Sequence, residues 1–185
     1  MESVQHDKIL QMKKNSILWV IPVILMIMVS ADMGVAGTRT WHGLGTKTMA
    51  HVAIIVRDIE KTTRTYADIF GLDPPGIRLG ASPEYMGKPT QGKAKMAFIN
   101  LENITLEFFE PVDGPSAWQD FLEEKGEGVH HFGFWVEGLD EHVKVLASGN
   151  MPVIQSGGGD WGRYRYVDAT AGLAVMIELL ERNEP

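Results

Sequence analysis

Two histidines and two glutamates stand at matching places in two similar stretches of this chain. Ala50-His51-Val52-Ala53-Ile54-Ile55-Val56 lies over His130-His131-Phe132-Gly133-Phe134-Trp135-Val136, and Ile104-Thr105-Leu106-Glu107-Phe108-Phe109-Glu110 lies over Val175-Met176-Ile177-Glu178-Leu179-Leu180-Glu181. This register pairs His51 with His131 and Glu107 with Glu178. It also selects His131 over His130, which strict alternation would place on the other face of a strand. Both glutamates interrupt runs that otherwise read as buried strand, and a buried carboxylate is normally paired, protonated or bound to a cation. Two imidazoles and two carboxylates make a nitrogen and oxygen donor set suited to one divalent ion, whether Zn, Ni, Co, Mn or Fe(II), with further positions left for water or substrate.

The elements that would carry these residues follow from periodicity. The two histidine stretches alternate with period two and read as strands. Asp58 is an N-cap signal for a helix over Ile59–Phe70, with Ile59, Thr63, Tyr66, Ile69 and Phe70 at helical spacing and Gly71 as its stop. Short strands are expected at Ile77–Ala81, Lys95–Asn100 and Ile104–Phe109, with a loop over Ser82–Gly92 and Pro111 ending the third strand. Ser116 caps a helix expected over Ala117–Lys125. The second half repeats the plan: the His131 strand, a helix from Leu139 to about Ala147, a strand at Pro152–Gln155, a Gly157-Gly158-Gly159 loop, and strands at Tyr164–Val167 and Ala174–Leu180. Each half is strand, helix, strand, strand, strand. The expected fold is therefore α+β, with module one over residues 49–111, a connector over 112–128 and module two over 129–181.

Composition narrows the partners. The 185 residues carry 24 acidic against 17 basic side chains and a net charge of −7, so no basic stripe awaits a nucleic-acid backbone. There are no cysteines, which removes disulfides, thiolate metal sites and cysteine nucleophiles together. At the N-terminus, Lys8, Lys13 and Lys14 precede an uncharged run from Ile17 to Val29, too short to cross a bilayer comfortably and interrupted by Pro22. Residues 1–31 are read as a secretory signal, which implies a periplasmic or secreted protein. The alternative is an anchor over residues 16–30, the only membrane contact expected. Residues 32–48 read as a linker.

The chain resembles the vicinal oxygen chelate superfamily, which includes glyoxalase I, methylmalonyl-CoA epimerase, extradiol dioxygenases and bleomycin-resistance proteins. The likeness spans roughly Met49–Glu181 and rests on the repeat above. It also rests on Leu106-Glu107-Phe108-Phe109-Glu110-Pro111, Gly114-Pro115-Ser116, Phe121-Leu122 and Lys125-Gly126-Glu127-Gly128-Val129-His130-His131. The resemblance implies two tandem βαβββ modules forming a cupped mixed sheet around one divalent metal ion. It implies His51, Glu107, His131 and Glu178 as the ligands, with Glu107 and Glu178 also as catalytic bases. The four-ligand set is similar to that of bacterial glyoxalase I, and the connector is similar to that of methylmalonyl-CoA epimerase. Epimerases of this kind are expected to supply a further glutamate from the second strand of module one, where this chain has Ile77-Arg78-Leu79-Gly80, with Glu84 only nearby.

The function expected is a metal-dependent isomerase or lyase that moves a proton alpha to the carbonyl of a small substrate through a stabilised enolate. The alternatives are a binding protein for a small molecule or antibiotic on the same fold and an extradiol-type dioxygenase. Arg163, Arg165 and Trp135 are the candidate substrate-binding residues, and the resemblance raises a homodimer as the assembly.

Overall fold

The computed structural model describes residues 43–183. The expected export signal or anchor and most of the 32–48 linker lie outside the described residues. Among the described residues, no helix is long and apolar enough to cross a membrane.

The strands are β1 (His51–Ile55), β2 (Arg78–Ala81), β3 (Glu84–Tyr85), β4 (Lys88–Pro89), β5 (Lys93–Asn100), β6 (Thr105–Asp113), β7 (Gly128–Trp135), β8 (Val153–Gly159), β9 (Gly162–Val167) and β10 (Met176–Arg182). The helices are α1 (Ile59–Phe70), α2 (Ala117–Glu124), α3 (Leu139–Ser148) and the single turn α4 (Thr170–Leu173). All ten strands form one mixed sheet in the order β2-β5-β6-β1-β7-β10-β9-β8-β3-β4. The two modules meet where β1 pairs antiparallel with β7, while β1 with β6 and β7 with β10 are parallel. This is the α+β fold of two βαβββ modules expected from the repeat.

The order requires strong curling. Only Ser82 and Pro83 separate β2 from β3, yet seven strands lie between these two in the sheet. Eight strand spacings laid flat would cover about 38 Å, whereas three Cα steps reach at most about 11 Å. The sheet therefore bends round until its ends nearly meet. The seam is held by Ser82, whose hydroxyl donates to the Ser156 carbonyl at 3.2 Å, and by the Ser156 hydroxyl donating to Glu84 Oε1 at 2.8 Å.

Alternation sorts side chains between the two faces. On β6, Phe108 joins Val56, Ile59, Ala97 and Ile99 beneath α1, while Glu107 and Phe109 turn into the cup. On β10, Ile177 and Leu179 pack with Leu139, Leu146 and Val167 beneath α3, while Glu178 and Leu180 turn inward. Both helices begin on a carboxylate at the equivalent repeat position. Glu110 Oε2 accepts from the Ile59 amide at 2.8 Å, and Glu181 Oε1 accepts from the Leu139 amide at 3.0 Å. The connector helix α2 starts at Ser116, whose hydroxyl accepts from the Gln119 amide. It buries Trp118 against Phe109, with the rings stacked 5.0 Å apart, and closes one end of the cup.

Three local expectations are corrected. The Ser82–Gly92 segment is not plain loop, because it folds into the β3–β4 hairpin and lends β3 to β8. Pro111 does not end β6, which continues to Asp113. A register shift between Lys93 and Ala94 accommodates the irregular end of that ladder. Gly157–Gly159 is strand, not loop, because the partner strand lies too close for side chains. A Cβ on Gly158 would sit 2.5 Å from the Gly162 carbonyl and 2.9 Å from the Arg163 Cα. Gly158→Ala is accordingly expected to destabilise the fold by roughly 1–3 kcal/mol through overpacking. Gly76→Ala, with open space at that position, should be neutral. Urea denaturation of the two variants measures the contrast.

Candidate metal centre

The floor of the cup is where β6, β1, β7 and β10 lie side by side. His51 opens β1, and Glu107, His131 and Glu178 lie within β6, β7 and β10. Pairing brings them together: His51 lies opposite Gly133, Ala53 opposite both His131 and Glu107, and Glu178 opposite Gly133. Each histidine thus reaches over a small residue two places along from the equivalent histidine. Gly133 is required, since a Cβ there would run into the His51 ring.

One donor atom from each of the four residues falls within 4.8 Å of all the others, a group able to hold a metal ion. His51 Nε2 lies 3.2 Å from His131 Nε2, 3.1 Å from Glu107 Oε2 and 2.8 Å from Glu178 Oε2. His131 Nε2 lies 3.3 Å from Glu178 Oε2. The two facing Nε2 atoms share one proton at most, which leaves the buried Glu178 Oε2 beside them short of donors. An orphaned carboxylate oxygen and two converging imidazole lone pairs suit a divalent cation, so the residues fit the group that their types imply.

Burial and neighbouring charge set the protonation. Burial, reinforced by the charge of Glu178, pushes Glu107 up to about 8. Burial pushes Glu178 the same way, but the charge of His131 and hydrogen bonds from His131 and His51 outweigh it and bring it down to about 2. Burial disfavours the imidazolium of His51, yet the Glu178 hydrogen bond and the two carboxylate charges raise it overall. His131, wholly enclosed, is lowered by burial. The cluster thus holds one neutral and one ionised carboxyl side by side.

His130 departs from the alternating pattern. Ala53 pairs with His131, but Ile54 pairs with Val129, so His130 is the extra residue of a β-bulge. The bulge turns both histidines to the same side. His130 is buried against Phe121 and Tyr166, and its Nδ1 lies 2.8 Å from His131 Nδ1. It fixes which ring nitrogen of His131 remains for the centre of the cup. Sequence periodicity missed this residue, because a bulge depends on the partner strand.

Above the floor is a cavity of about 610 Å³, walled by Phe98, Phe109, Trp118, Trp135, Tyr164 and Tyr166 among others. Trp135 is on this wall. Arg163 and Arg165 are not, since Tyr164 and Tyr166 take the inward positions of β9. Arg163 instead bridges Glu181 at 2.6 Å and Asp140 at 3.0 Å. In module one Lys95 does the same between Glu110 at 3.0 Å and Glu60 at 3.1 Å. Each is a clamp between helix start and sheet. Arg165 donates to the Tyr164 carbonyl. Two cavity-lining cations were missed, Arg78 and Arg182.

Comparison with known proteins agrees with this architecture. Residues 50–166 match the family described as the glyoxalase/bleomycin resistance protein/dioxygenase superfamily. An uncharacterized protein of Bacillus subtilis is 25% identical over 136 residues, covering 71% of this chain and 89% of that protein. The mitochondrial methylmalonyl-CoA epimerase of Mus musculus is 30% identical over 97 residues, 52% of this chain; the match spans 49%, about half, of that epimerase. The crystal structure of methylmalonyl-CoA epimerase from Mycobacterium tuberculosis superposes with a TM-score of 0.53 at 20% identity, over 79% of this chain and 95% of that one.

The protonation pattern carries a pH signature. Glu107 has its folded pKa raised, so its contribution to stability is fully present below about 4.5 and is lost as pH rises through about 8. His51, also raised, acts in the same direction above 6.5. His130 and His131, both lowered, act oppositely but only below 6.5. The stability of the chelator-treated protein should therefore fall between pH 6.5 and 8, and Glu107→Gln should flatten that decline. Thermal melts across this range measure both.

Proposed function

The chain belongs to the glyoxalase/bleomycin resistance protein/dioxygenase superfamily, and on that premise we propose that it is a metal-dependent isomerase of the epimerase type. Its substrate is a small carbonyl compound with an acidic hydrogen on the adjacent carbon. The observation that carries this reading is the placement of the two buried carboxylates. Glu107 comes from β6 and Glu178 from β10, on opposite sides of the central β1–β7 pair. They flank one point on the floor from two directions, which suits proton transfer at either face of a single carbon.

His51, Glu107, His131 and Glu178 would hold the ion, and His130 would orient His131 through its Nδ1. A divalent cation bound there supplies a Lewis acid for the negative charge that develops on the carbonyl oxygen. Glu107, with the higher proton affinity of the pair, takes up a proton as substrate enters and delivers it to one face of the alpha carbon. Glu178, held ionised between two imidazoles, takes the alpha proton from the opposite face, and the two carboxyls exchange roles in the reverse direction. The aromatic wall excludes water from the exchanging carbon. The second strand of module one carries Arg78 and no glutamate, so both proton positions fall to the floor carboxylates. Relatives named methylmalonyl-CoA epimerase support an acyl thioester as the first substrate to try.

Deuterium wash-in from D₂O at the alpha carbon of methylmalonyl-CoA and of a hemithioacetal tests this reading. Exchange should require a divalent ion, vanish on chelation and return on reloading. Glu107→Gln and Glu178→Gln should each slow it by roughly 10²–10⁴-fold. Undiminished exchange in the chelated protein would overturn the proposal. Calorimetric titration of zinc into the metal-free protein at pH 7 should register proton release, since Glu107 enters the titration protonated. In the same titration His130→Phe should weaken zinc binding about 10–100-fold.

A further inference from the structure

We infer that Arg78 and Arg182 form an anion-binding mouth to the cavity, so that the carbonyl compound taken up at the floor carries a carboxylate of its own. This deepens the isomerase reading and rests on it for the identity of the floor.

Four charged side chains line the cavity: Glu107 and Glu178 at the floor, and Arg78 and Arg182 higher on the wall. A dication at the floor would cancel the two carboxylates and leave two positive charges. With an ion at the floor the cavity is short of negative charge, in a chain whose net charge is −7.

The two guanidinium groups are also held differently from Lys95 and Arg163, the cations beside the two helix starts. Lys95 and Arg163 are each clamped between two carboxylates. Arg78 lies with its Cζ 4.6 Å from the centre of the Phe98 ring, and Arg182 with its Cζ 4.3 Å from the centre of the Trp135 ring. Among the described residues, neither has a carboxylate partner. Stacking occupies the flat face of a guanidinium and leaves its edge of N–H donors unused, the edge that grips a carboxylate with two parallel hydrogen bonds. The stack also fixes the group in place, which lowers the entropy lost on capture.

Position gives the ligand its shape. On β10, Glu178, Leu180 and Arg182 point the same way at successive alternate residues, running from the floor to the mouth. A molecule whose carbonyl lies at the floor would therefore meet Arg182 with its far end, past an apolar step at Leu180. Arg78 stands on β2, at the far end of the sheet order from the second module. One arginine from each module thus lines the same opening.

Calorimetric titration of the zinc-loaded protein with succinate, succinamide and pyrophosphate tests the inference. Succinate should bind at least tenfold more tightly than succinamide, whose length is similar and whose charge is absent. Arg78→Gln and Arg182→Gln should each remove most of that preference, and the double variant all of it, with zinc affinity unchanged. Equal binding of succinate and succinamide, or full retention of succinate affinity in the double variant, would overturn the inference. Tighter binding of pyrophosphate than of succinate would overturn the carboxylate assignment in favour of a phosphate-bearing ligand. Should the isomerase reading fail instead, the deuterium wash-in would survive Glu107→Gln and Glu178→Gln while the arginine variants still lost succinate.

Discussion

Burying two carboxylates within reach of one another is the constraint on which this structure turns. In an apolar sheet such a pair repels itself and is stripped of water, and each effect alone would favour unfolding or protonation. The fold answers with two imidazoles set between the carboxylates and with one carboxyl left neutral. Much of the remaining architecture serves that arrangement. Parallel pairing of β1 with β6 and of β7 with β10 puts each glutamate beside a histidine strand. Ala53 and Gly133 clear the space over which the rings extend. The bulge at His130 braces one ring from behind.

The same repeat builds the outer layer. Three residues beyond each floor glutamate comes a second one, Glu110 or Glu181, turned to the opposite face, where it binds the first amide of a helix and a cation from the neighbouring strand. Each Glu-x-x-Glu segment therefore joins the inner chemistry to the outer packing within one strand. A shift of one residue in register would exchange the two roles and disable both.

Much of this was legible in the sequence, because a duplicated module states its pattern twice. The four floor residues came from the alignment of the halves, and helix α1 from Asp58 and Gly71, both of which act as caps. What periodicity could not reach depends on partners distant in the chain. The contact that pairs Glu84 with Ser156 spans 72 residues, so β3 looked like loop. Gly157–Gly159 resembled a flexible turn because the backbone pressing on it belongs to another strand. Arg163 and Arg165 attracted attention by following those glycines, whereas Arg78 and Arg182 needed the curl of the whole sheet to share one opening.

The β3–β4 hairpin also determines how the sheet ends. By pairing Glu84 and Tyr85 with Ser156 and Gln155 it covers the middle of β8, whose unpaired amides and carbonyls would otherwise invite another chain. The border it leaves is β4, two residues long and made of Lys88 and Pro89. One of these repels a like-charged neighbour and the other lacks an amide to donate. At the other end β2 offers four residues interrupted by Gly80. An open ten-stranded sheet thus ends, at its two margins, on strands of two and four residues, each a short template for intermolecular strand addition.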